Sequence, residues 1–379
     1  MKTFSELGLN QNIIDGLAKQ EIDTPTEIQS LTISGILENK DVIGEAHTGS
    51  GKTLAFVAPI FQKIDVTKRE MQVLILAPTH ELVMQIEAQI KLLALNSEIP
   101  VTSMSVIGDV NIDKQIKKLK DVKPHIIVGT TGRVLDLIKK KKKINAQTIK
   151  TIVIDEADNL LDNTSSEMVQ DIIKTTMRDR QLMIFSATVN EKTMSTAKEL
   201  MHDDPLIIKS QGKASLNPNI EHMYIEVASR DKFEVLRKLI AATDPEKALV
   251  FVNQAYEINL IAEKLNFHNK ATFAIHKGVT KEQRQNALES FRLGKINILV
   301  SSDISARGLD IEGITHIINL DFPGNTNEYL HRAGRTARGN NTGVTISLVT
   351  PSELAGVRIY ERTFGIVIEK KTLYGGNLI

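Results

Sequence analysis

Residues 46–53, Ala-His-Thr-Gly-Ser-Gly-Lys-Thr, have the composition of a loop that binds phosphate groups. An apolar strand pattern at 41–44 precedes them and a helical pattern follows, which is the context that such a loop requires. The helix start favours an anion, and the two glycines let the backbone approach it because neither has a Cβ atom. The lysine can reach the β- and γ-phosphates, and the last threonine can ligate Mg²⁺. The sequence predicts a nucleoside triphosphate site formed by Thr48, Gly49, Ser50, Gly51, Lys52 and Thr53.

A second group of chemically active residues follows an apolar strand pattern at 151–154. The next four residues read Asp-Glu-Ala-Asp, and carboxylates at a strand end downstream of a phosphate loop are typical of an ATPase site. Asp155 would hold Mg²⁺, and Glu156 would orient and deprotonate the attacking water. The competing interpretation is a capping turn at the start of the next helix. It suits Asp158 but not three acids together.

Composition limits the class of protein. The chain has 379 residues, 41% of them hydrophobic and 25% charged, and a formal net charge of +1, which is typical of a soluble globular protein. It contains no cysteine, which excludes disulfides, thiolate catalysis and cysteine-ligated metals. No apolar run reaches membrane-spanning length and the N-terminal residues lack a secretory pattern, so we expect a cytoplasmic protein.

Short apolar runs alternate with helical patterns along the whole chain. Most of these runs are apolar throughout, as parallel strands covered on both faces are. Residues 210–219 are polar and contain Gly and Pro, which indicates a linker. The pattern predicts two tandem α/β domains, 1–209 and 220–379, each with a mainly parallel sheet. The expected strands are 73–76, 125–128, 151–154, 182–185, 248–252, 271–275, 296–300, 316–320 and 344–348.

The phosphate loop, the Asp-Glu-Ala-Asp at 155–158 and the Ser-Ala-Thr at 186–188, in this order, resemble the motifs of the DEAD-box RNA helicases. The resemblance runs from about Phe4 to about Leu348, nearly the whole chain. It implies two RecA-like domains forming a minimal bacterial-type helicase core, which is expected to be a monomer. It also implies RNA-stimulated hydrolysis of ATP with Mg²⁺ at the interdomain cleft.

Residues 25–29, Pro-Thr-Glu-Ile-Gln, resemble the segment with which the family reads adenine. The resemblance implies that Gln29 hydrogen-bonds the base edge and that Phe4 stacks on its face, which favours ATP over GTP. An amide both donates and accepts hydrogen bonds, as the edge of adenine does. If the resemblance is set aside, the residue type alone predicts that Phe4 lies in the core.

The second half supplies arginines. Residues 331–338, His-Arg-Ala-Gly-Arg-Thr-Ala-Arg, could be a solvated helix face, but guanidinium groups also pair with phosphate oxygens and stabilise developing charge. The resemblance implies that Arg335 and Arg338 contact the γ-phosphate and that Gly308 and Asp310 contact the nucleotide. It further implies a set that couples hydrolysis to domain closure: Asp158, Ser186, Thr188 and His331.

Expected RNA contacts follow strands in both halves. The resemblance assigns them to Pro78, Thr79, Gly108, Thr130, Arg133, Gly278, Arg284 and Ser302. Several positions depart from the family pattern. In the second half Lys277 is inserted between the usual His and Gly, and Gln283-Arg284 is a shortened or shifted form of the family's Gln-x-x-Arg. In the first half His80 replaces an arginine, Asp109 a glycine and Thr131 a proline. Losing a fixed cation and adding an anion predict weaker RNA binding or dependence on a partner.

Other interpretations stay open. A nucleotide-gated RNA-binding clamp or assembly factor with weak unwinding fits the altered contacts, whereas the full motif set disfavours a DNA helicase. The expected partners are single-stranded or short duplex RNA, with ribosomal or RNA-turnover proteins as settings by family analogy. Five lysines at 139–143 predict a solvated helix end, the alternative being a non-specific contact with RNA or a ribosome-like partner.

Overall fold

The structure is a computed structural model, and the chain divides into two compact units, Met1–Gly212 and Lys213–Ile379. It describes residues 2–47, 49–108, 110–161, 165–202, 204–210, 216–276, 278–303, 313–337 and 341–379. Several positions of the expected site therefore lie outside the described residues, namely Thr48, Asp109, Gly308, Asp310 and Arg338, as do residues 211–215 of the expected linker.

The first unit is built on a seven-stranded sheet of order β3-β4-β2-β5-β6-β1-β7, in which every neighbouring pair is parallel. Its strands are β1 (Val42–Glu45), β2 (Val73–Leu76), β3 (Ser103–Val106), β4 (Ile126–Gly129), β5 (Thr151–Ile154), β6 (Gln181–Ser186) and β7 (Leu206–Lys209). Its helices are α1 (Gln11–Ala18), α2 (Glu27–Leu37), α3 (Lys52–Lys63), α4 (His80–Ser97), α5 (Ile112–Val122), α6 (Thr131–Leu135), a π-helical turn (Asp136–Lys140), α7 (Ala157–Leu161), α8 (Ser165–Ile173) and α9 (Glu191–Leu200).

Both faces of this sheet are buried. Successive side chains of a strand point to opposite faces, so Ile75 joins the core beneath α1–α4 while Leu74 joins the core beneath α5, α6 and α8. Two buried faces explain why these strands are apolar throughout instead of alternating.

The second unit repeats the design with a parallel sheet of order β10-β11-β9-β12-β13-β8-β14. Its strands are β8 (Ile220–Glu226), β9 (Ala248–Phe251), β10 (Thr272–Ile275), β11 (Ile298–Ser301), β12 (His316–Asn319), β13 (Gly343–Val349) and β14 (Glu369–Lys370), and an antiparallel pair follows, β15 (Leu373–Tyr374) and β16 (Asn377–Leu378). The described helices are α10 (Lys232–Thr243), α11 (Ala255–Phe267), α12 (Lys281–Arg292), α13 (Thr326–Ala333) and α14 (Leu354–Phe364).

The predicted α/β architecture with two parallel sheets is confirmed, and each of the nine expected strands is present within two residues of its expected limits. The sequence missed β3, β7 and β8 and the two-residue strands β14, β15 and β16. Polar residues interrupt β3 and β8, and the last three strands are too short for a pattern, whereas β7 contains an apolar run at 206–208 that is absent from the expected strands. Within the described ranges, no helix combines the length and apolar character needed to cross a bilayer.

Candidate nucleotide and RNA site

The candidate residues of the first unit gather at one edge of its sheet. All its strands are parallel, so their carboxyl ends meet at the same edge. The phosphate loop follows β1, Pro78 lies two residues beyond β2, and Gly108 two residues beyond β3. Thr130 follows β4 and Asp155 follows β5. The prediction that the motifs lie beyond the carboxyl ends of the strands therefore holds in this unit.

The phosphate loop turns sharply from β1 into α3. Gly49 and Gly51 have φ values of 83° and 89°, a left-handed backbone that strains any residue with a Cβ atom. At Gly51 a Cβ atom would also lie 2.5 Å from Nε2 of Gln29. Lys52 Nζ donates to the carbonyl of Ala46 at 2.7 Å, so the ammonium group lies back over the loop. Thr53 is the second residue of α3.

An unsatisfied hydroxyl marks the same loop. Ser50 Oγ is buried and has no hydrogen-bond partner among the described residues. Most buried polar atoms in native proteins have a partner, so an orphan at this position fits a loop that binds a polar ligand.

Burial of charge defines the electrostatics of this edge. Burial lowers the pKa of Lys52, and the carboxylates of Asp155, Glu156 and Asp158 oppose that shift. Burial also raises the pKa of Asp155, and Lys52 offsets only part of the effect. Three carboxylates around one ammonium group leave an excess of negative charge, and carboxylate and hydroxyl oxygens are ligands that Mg²⁺ prefers. The donor set of Asp155 and Thr53 therefore fits this cation.

The Asp-Glu-Ala-Asp segment is held tightly. The N–H of Asp155 donates to Leu76 O at 2.9 Å, which extends the ladder between β5 and β2. Its Oδ1 accepts from the N–H of Glu156 at 3.0 Å, and its side chain is buried. Glu156 has a φ of 50°, a left-handed conformation that is strained for a residue with a Cβ atom. The bend separates the two carboxylates that the sequence assigned to different roles.

Two members of the expected coupling set are joined directly. The N–H of Asp158 donates to Oγ of Ser186 at 3.2 Å, and Ser186 is fully buried at the end of β6. Thr188 lies two residues further on and is half-buried. The segment with the acids and the Ser-Ala-Thr segment are thus linked within this unit.

Gln29 connects the expected adenine-reading segment to the phosphate loop. Its Oε1 accepts from the N–H of Thr26 at 2.9 Å, closing a capping box at the start of α2, and its Nε2 donates to Gly51 O at 3.1 Å. One N–H and one lone pair of the amide remain for a base. Phe4 is 3% exposed and packs in the core, as the interpretation without the family expected. Stacking of Phe4 on a base stays a prediction.

Arg133 was expected to contact RNA, but its guanidinium is engaged within the first unit. Nη1 donates to Val110 O at 2.8 Å and to Gln115 Oε1 at 2.9 Å, and Nη2 donates to Gly108 O. In this arrangement the residue positions the turn after β3 against α5. A direct contact with RNA stays a prediction for Arg133.

The remaining RNA candidates of this unit occupy turns. Thr79 caps α4 by accepting from the N–H of Leu82 at 3.2 Å, and Thr130 occupies the N-cap position of α6. A Cβ atom placed on Gly108 would lie 3.7 Å from His80 Nε2. His80, which stands where the family usually has arginine, therefore faces this turn.

The second unit contains a charged centre that the sequence did not reveal. Arg332 is 1% exposed, and its guanidinium forms a fork with Asp303 at 2.7 and 2.5 Å. It also donates to Asn253 Oδ1 at 2.8 Å and to Asp321 O at 2.8 Å, and it lies 4.9 Å from the ring centroid of Phe251. Every nitrogen of this guanidinium has a partner. Arg332 therefore holds the carboxyl edge of the second sheet together.

The other candidates of the second unit lie around the same edge. Gly278 follows β10 and donates its N–H to His276 Nδ1 at 3.1 Å, and Ser302 follows β11. Arg284 lies in the first turn of α12, and His331 in the last turn of α13. Arg335 is 8% exposed, and Ala337 has a left-handed φ of 52° two residues later.

Comparison with known proteins decides the family. The model described as DEAD/DEAH box helicase matches residues 26–196, and the helicase conserved C-terminal domain matches residues 231–340. DEAD-box ATP-dependent RNA helicase CshC from Bacillus cereus is 40% identical over 354 residues, which are 93% of this chain and 89% of that protein. The chain belongs to the DEAD-box helicase family. CshA from Geobacillus kaustophilus, of the same description, is 38% identical over 96% of this chain and 77% of its own length.

Solved structures agree with the assignment. Dbp5 from S. cerevisiae bound to RNA and ADP BeF3 matches with a TM-score of 0.85 and 27% identity, covering 98% of this chain and 95% of that one. Mss116p bound to ssRNA and AMP-PNP matches with a TM-score of 0.84 and 27% identity over 98% and 80% of the two chains. The predicted family, fold and activity, an ATP-dependent RNA helicase, are confirmed. The individual site residues stay predictions.

Proposed function

We propose that this DEAD-box helicase binds MgATP at the carboxyl edge of its first sheet and hydrolyses it to separate short RNA duplexes locally or to remodel RNA–protein complexes. The observation that carries the proposal is the convergence of one buried ammonium group, Lys52, with three carboxylates beside a glycine turn that contains an orphan hydroxyl. A monomer in the cytoplasm remains the expectation from the sequence.

Each group of the first unit has a distinct task in the proposal. Lys52 binds the β- and γ-phosphates, and Thr53 and Asp155 would hold Mg²⁺, which neutralises phosphate charge when it is bound. Glu156 orients a water molecule and takes a proton from it as the water oxygen attacks the γ-phosphorus. The bond from that phosphorus to the bridging oxygen breaks, and ADP and phosphate leave.

The second unit contributes cations in this account. Arg335 and Arg338 are proposed to stabilise the charge that develops on the transferred phosphoryl group, as guanidinium groups do elsewhere. Arg332 cannot take this task in the described arrangement, because Asp303 and its other partners occupy its donors. The link between Asp158 and Ser186 supports a route by which hydrolysis affects the rest of the first unit.

The test is steady-state ATPase activity with and without single-stranded RNA, for the wild type and for Glu156→Gln. Glu156→Gln keeps the shape of the side chain but removes its basicity. We expect RNA to stimulate the wild type strongly, and Glu156→Gln to bind MgATP normally while its turnover falls by about 100-fold or more.

Two outcomes would contradict the proposal. Turnover of Glu156→Gln close to the wild-type rate would refute the role of Glu156. ATP binding without RNA-stimulated turnover in the wild type would favour the nucleotide-gated clamp, for which His80 and Asp109 supply the reason.

A further inference from the structure

Positive charge in this protein is concentrated in one segment. Residues 112–150 contain twelve Lys and Arg against three Asp, a formal charge of +9 in a chain whose net charge is +1. The segment includes the lysine run at 139–143 and also α5, which has four lysines in eleven residues. Neither feature belongs to the nucleotide site.

The structure brings these two parts of the segment together. Helix α5 follows β3 and α6 follows β4, so both begin at the carboxyl edge of the first sheet and run towards its amino edge. Both pack on the same face, where Leu119 of α5 and Leu137 of the π-helical turn join one core cluster. Gln115 and Arg133 connect the two helices near their starts at 2.9 Å. Their exposed sides therefore form one continuous surface.

Most lysines of this surface lack a carboxylate partner. Lys139 pairs with Asp171 at 2.5 Å and Lys140 with Asp136 at 3.4 Å. We name the other exposed lysines the lysine track, and they are Lys114, Lys117, Lys118, Lys120, Lys123, Lys141, Lys142 and Lys143. In the part of the chain that the structure describes, none of these eight ammonium groups forms an ion pair.

Paired lysines occur in the second unit. Lys232, Lys238, Lys370 and Lys371 each form an ion pair with an acid, whereas Lys247, Lys270 and Lys295 form none in the described part of the chain. A solvated surface that serves only solubility usually mixes both signs, because like charges repel one another and destabilise the fold. The lysine track departs from that arrangement over the length of α5, about 16 Å at 1.5 Å per residue.

The backbone at the end of the track is also unusual. Residues 136–140 form a π-helical turn, a rare geometry that is frequent at functional sites. Lys142 then adopts a left-handed φ of 50°, which glycine or asparagine would accept more easily. Strain of this kind persists only where the surroundings impose it, and it concentrates at functional positions.

We propose that the lysine track binds the phosphate backbone of duplex RNA that flanks the strand held at the carboxyl edge. The inference rests on the proposed function, because it assumes that RNA is held there. Lysine ammonium groups act as point charges on phosphates and do not read bases. Helix α5 begins four residues after Gly108, so RNA leaving that turn meets the track directly.

The composition of the segment selects duplex over single-stranded RNA. Residues 112–150 contain no Phe, Tyr or Trp, and their one histidine, His125, is buried. Proteins that hold unpaired bases stack them on aromatic side chains, and this surface offers none. A-form duplexes keep their bases stacked and present phosphates and 2′-hydroxyls, which an extended array of lysines suits.

The experiment compares two triple variants on two RNAs. The test variant is Lys141→Gln, Lys142→Gln and Lys143→Gln, and the matched control removes three exposed lysines elsewhere, Lys2→Gln, Lys198→Gln and Lys295→Gln. One RNA is a hairpin with a single-stranded 3′ extension, and the other is the extension alone. Dissociation constants are measured by fluorescence anisotropy with AMP-PNP over a series of salt concentrations.

We expect the test variant to bind the hairpin RNA at least about threefold more weakly than the control at low salt. Its plot of log affinity against log salt should be shallower by about 2.7, since each of the three lost phosphate contacts removes roughly 0.9. Both variants should bind the extension alone like the wild type and should keep the wild-type ATPase rate at saturating single-stranded RNA, which also verifies folding.

Two results overturn the inference, and a third, which is distinguishable from them, would refute the proposed function. Equal hairpin binding by test and control variants would show that the lysine track does not contact RNA and would leave an acidic protein surface as its partner. Equal weakening on both RNAs would show a general charge effect and not a duplex contact. Failure of the wild type to bind either RNA would instead refute the proposed function itself.

Discussion

The carboxyl edges of the two sheets each contain a buried cation, and the two are treated in opposite ways. Lys52 in the first unit donates to one backbone carbonyl, lies near three carboxylates and sits beside an orphan hydroxyl. Arg332 in the second unit has a partner on every nitrogen and an aromatic ring beneath it.

The difference distinguishes a charged group that can bind a ligand from one that stabilises the fold. A guanidinium with complete pairing stabilises its unit and has no donor left for a ligand. Lys52 is different, because burial lowers the pKa of its ammonium group and acids around it are in excess. Such an arrangement suits the binding of phosphates and a divalent cation. The comparison therefore predicts that removing Arg332 costs stability, whereas removing charges of the nucleotide site costs function.

The largest expected effect on stability is that of Arg332→Ala. It leaves Asp303, Asn253 and Asn319 without their shared partner, and breaking a buried ion pair in this way costs about 3–5 kcal/mol of unfolding free energy. All five tyrosines of the chain lie in the second unit and tryptophan is absent, so tyrosine fluorescence in urea reports on this unit alone.

Arg237→Ala is the matched control for that variant, because it removes an arginine of the same unit that pairs with Glu234 on the surface. Its unfolding midpoint should move much less. If both variants shift the midpoint equally, the structural role assigned to Arg332 is wrong.

Asp155→Asn should have an effect of intermediate size and opposite sign. Burial raises the pKa of Asp155 in the folded protein, so ionising it as the pH rises costs stability, and a neutral side chain avoids this cost. We expect nucleotide-free Asp155→Asn to be more stable than the wild type at pH 8, because the buried carboxylate of the wild type is ionised there.

The gain should shrink towards acidic pH, where the wild-type carboxyl is protonated too, and turnover with Mg²⁺ should be lost. Calorimetry of both proteins at pH 5 and pH 8 measures the difference. A variant that is destabilised at pH 8 would indicate that the Asp155 carboxylate is held favourably and is not strained by burial.

The smallest expected effect is that of His80→Arg, which restores the family's fixed cation beside Gly108. One added phosphate contact should tighten binding of single-stranded RNA by about threefold to tenfold at low salt and steepen the salt dependence by about 0.7. His80→Gln, which adds no charge, is the control. Equal affinity of His80→Arg and His80→Gln would show that the position does not face the RNA path.

Sequence patterns predicted the parts of this protein that local chemistry determines. Continuous apolar runs such as 151–154 mark central parallel strands, and the phosphate loop is specified by glycine positions that the backbone requires. Because every strand of the first sheet is parallel, chain order alone placed Lys52 and Asp155 at one edge of that sheet.

What the sequence could not supply depends on tertiary partners. The sequence around Arg332 does not predict its partners Asp303 and Asn253, which are 29 and 79 residues away in the chain. Gln283 closes a capping box with Thr280, a contact that the sequence did not suggest, and its place in an RNA-binding motif stays a prediction. Charge segregation in 112–150 was readable as composition, but only packing shows that α5 and the lysine run share a surface.

Thermal unfolding of Lys52→Gln with and without MgATP tests the central contrast most directly. Burial lowers the pKa of Lys52, so the charged form is disfavoured in the folded protein, and the variant should melt at the wild-type temperature or above it without nucleotide. MgATP should raise the melting temperature of the wild type by mass action and leave that of the variant unchanged. A variant that melts earlier but still gains the full shift from MgATP would make Lys52 a structural cation, and the contrast with Arg332 would fail.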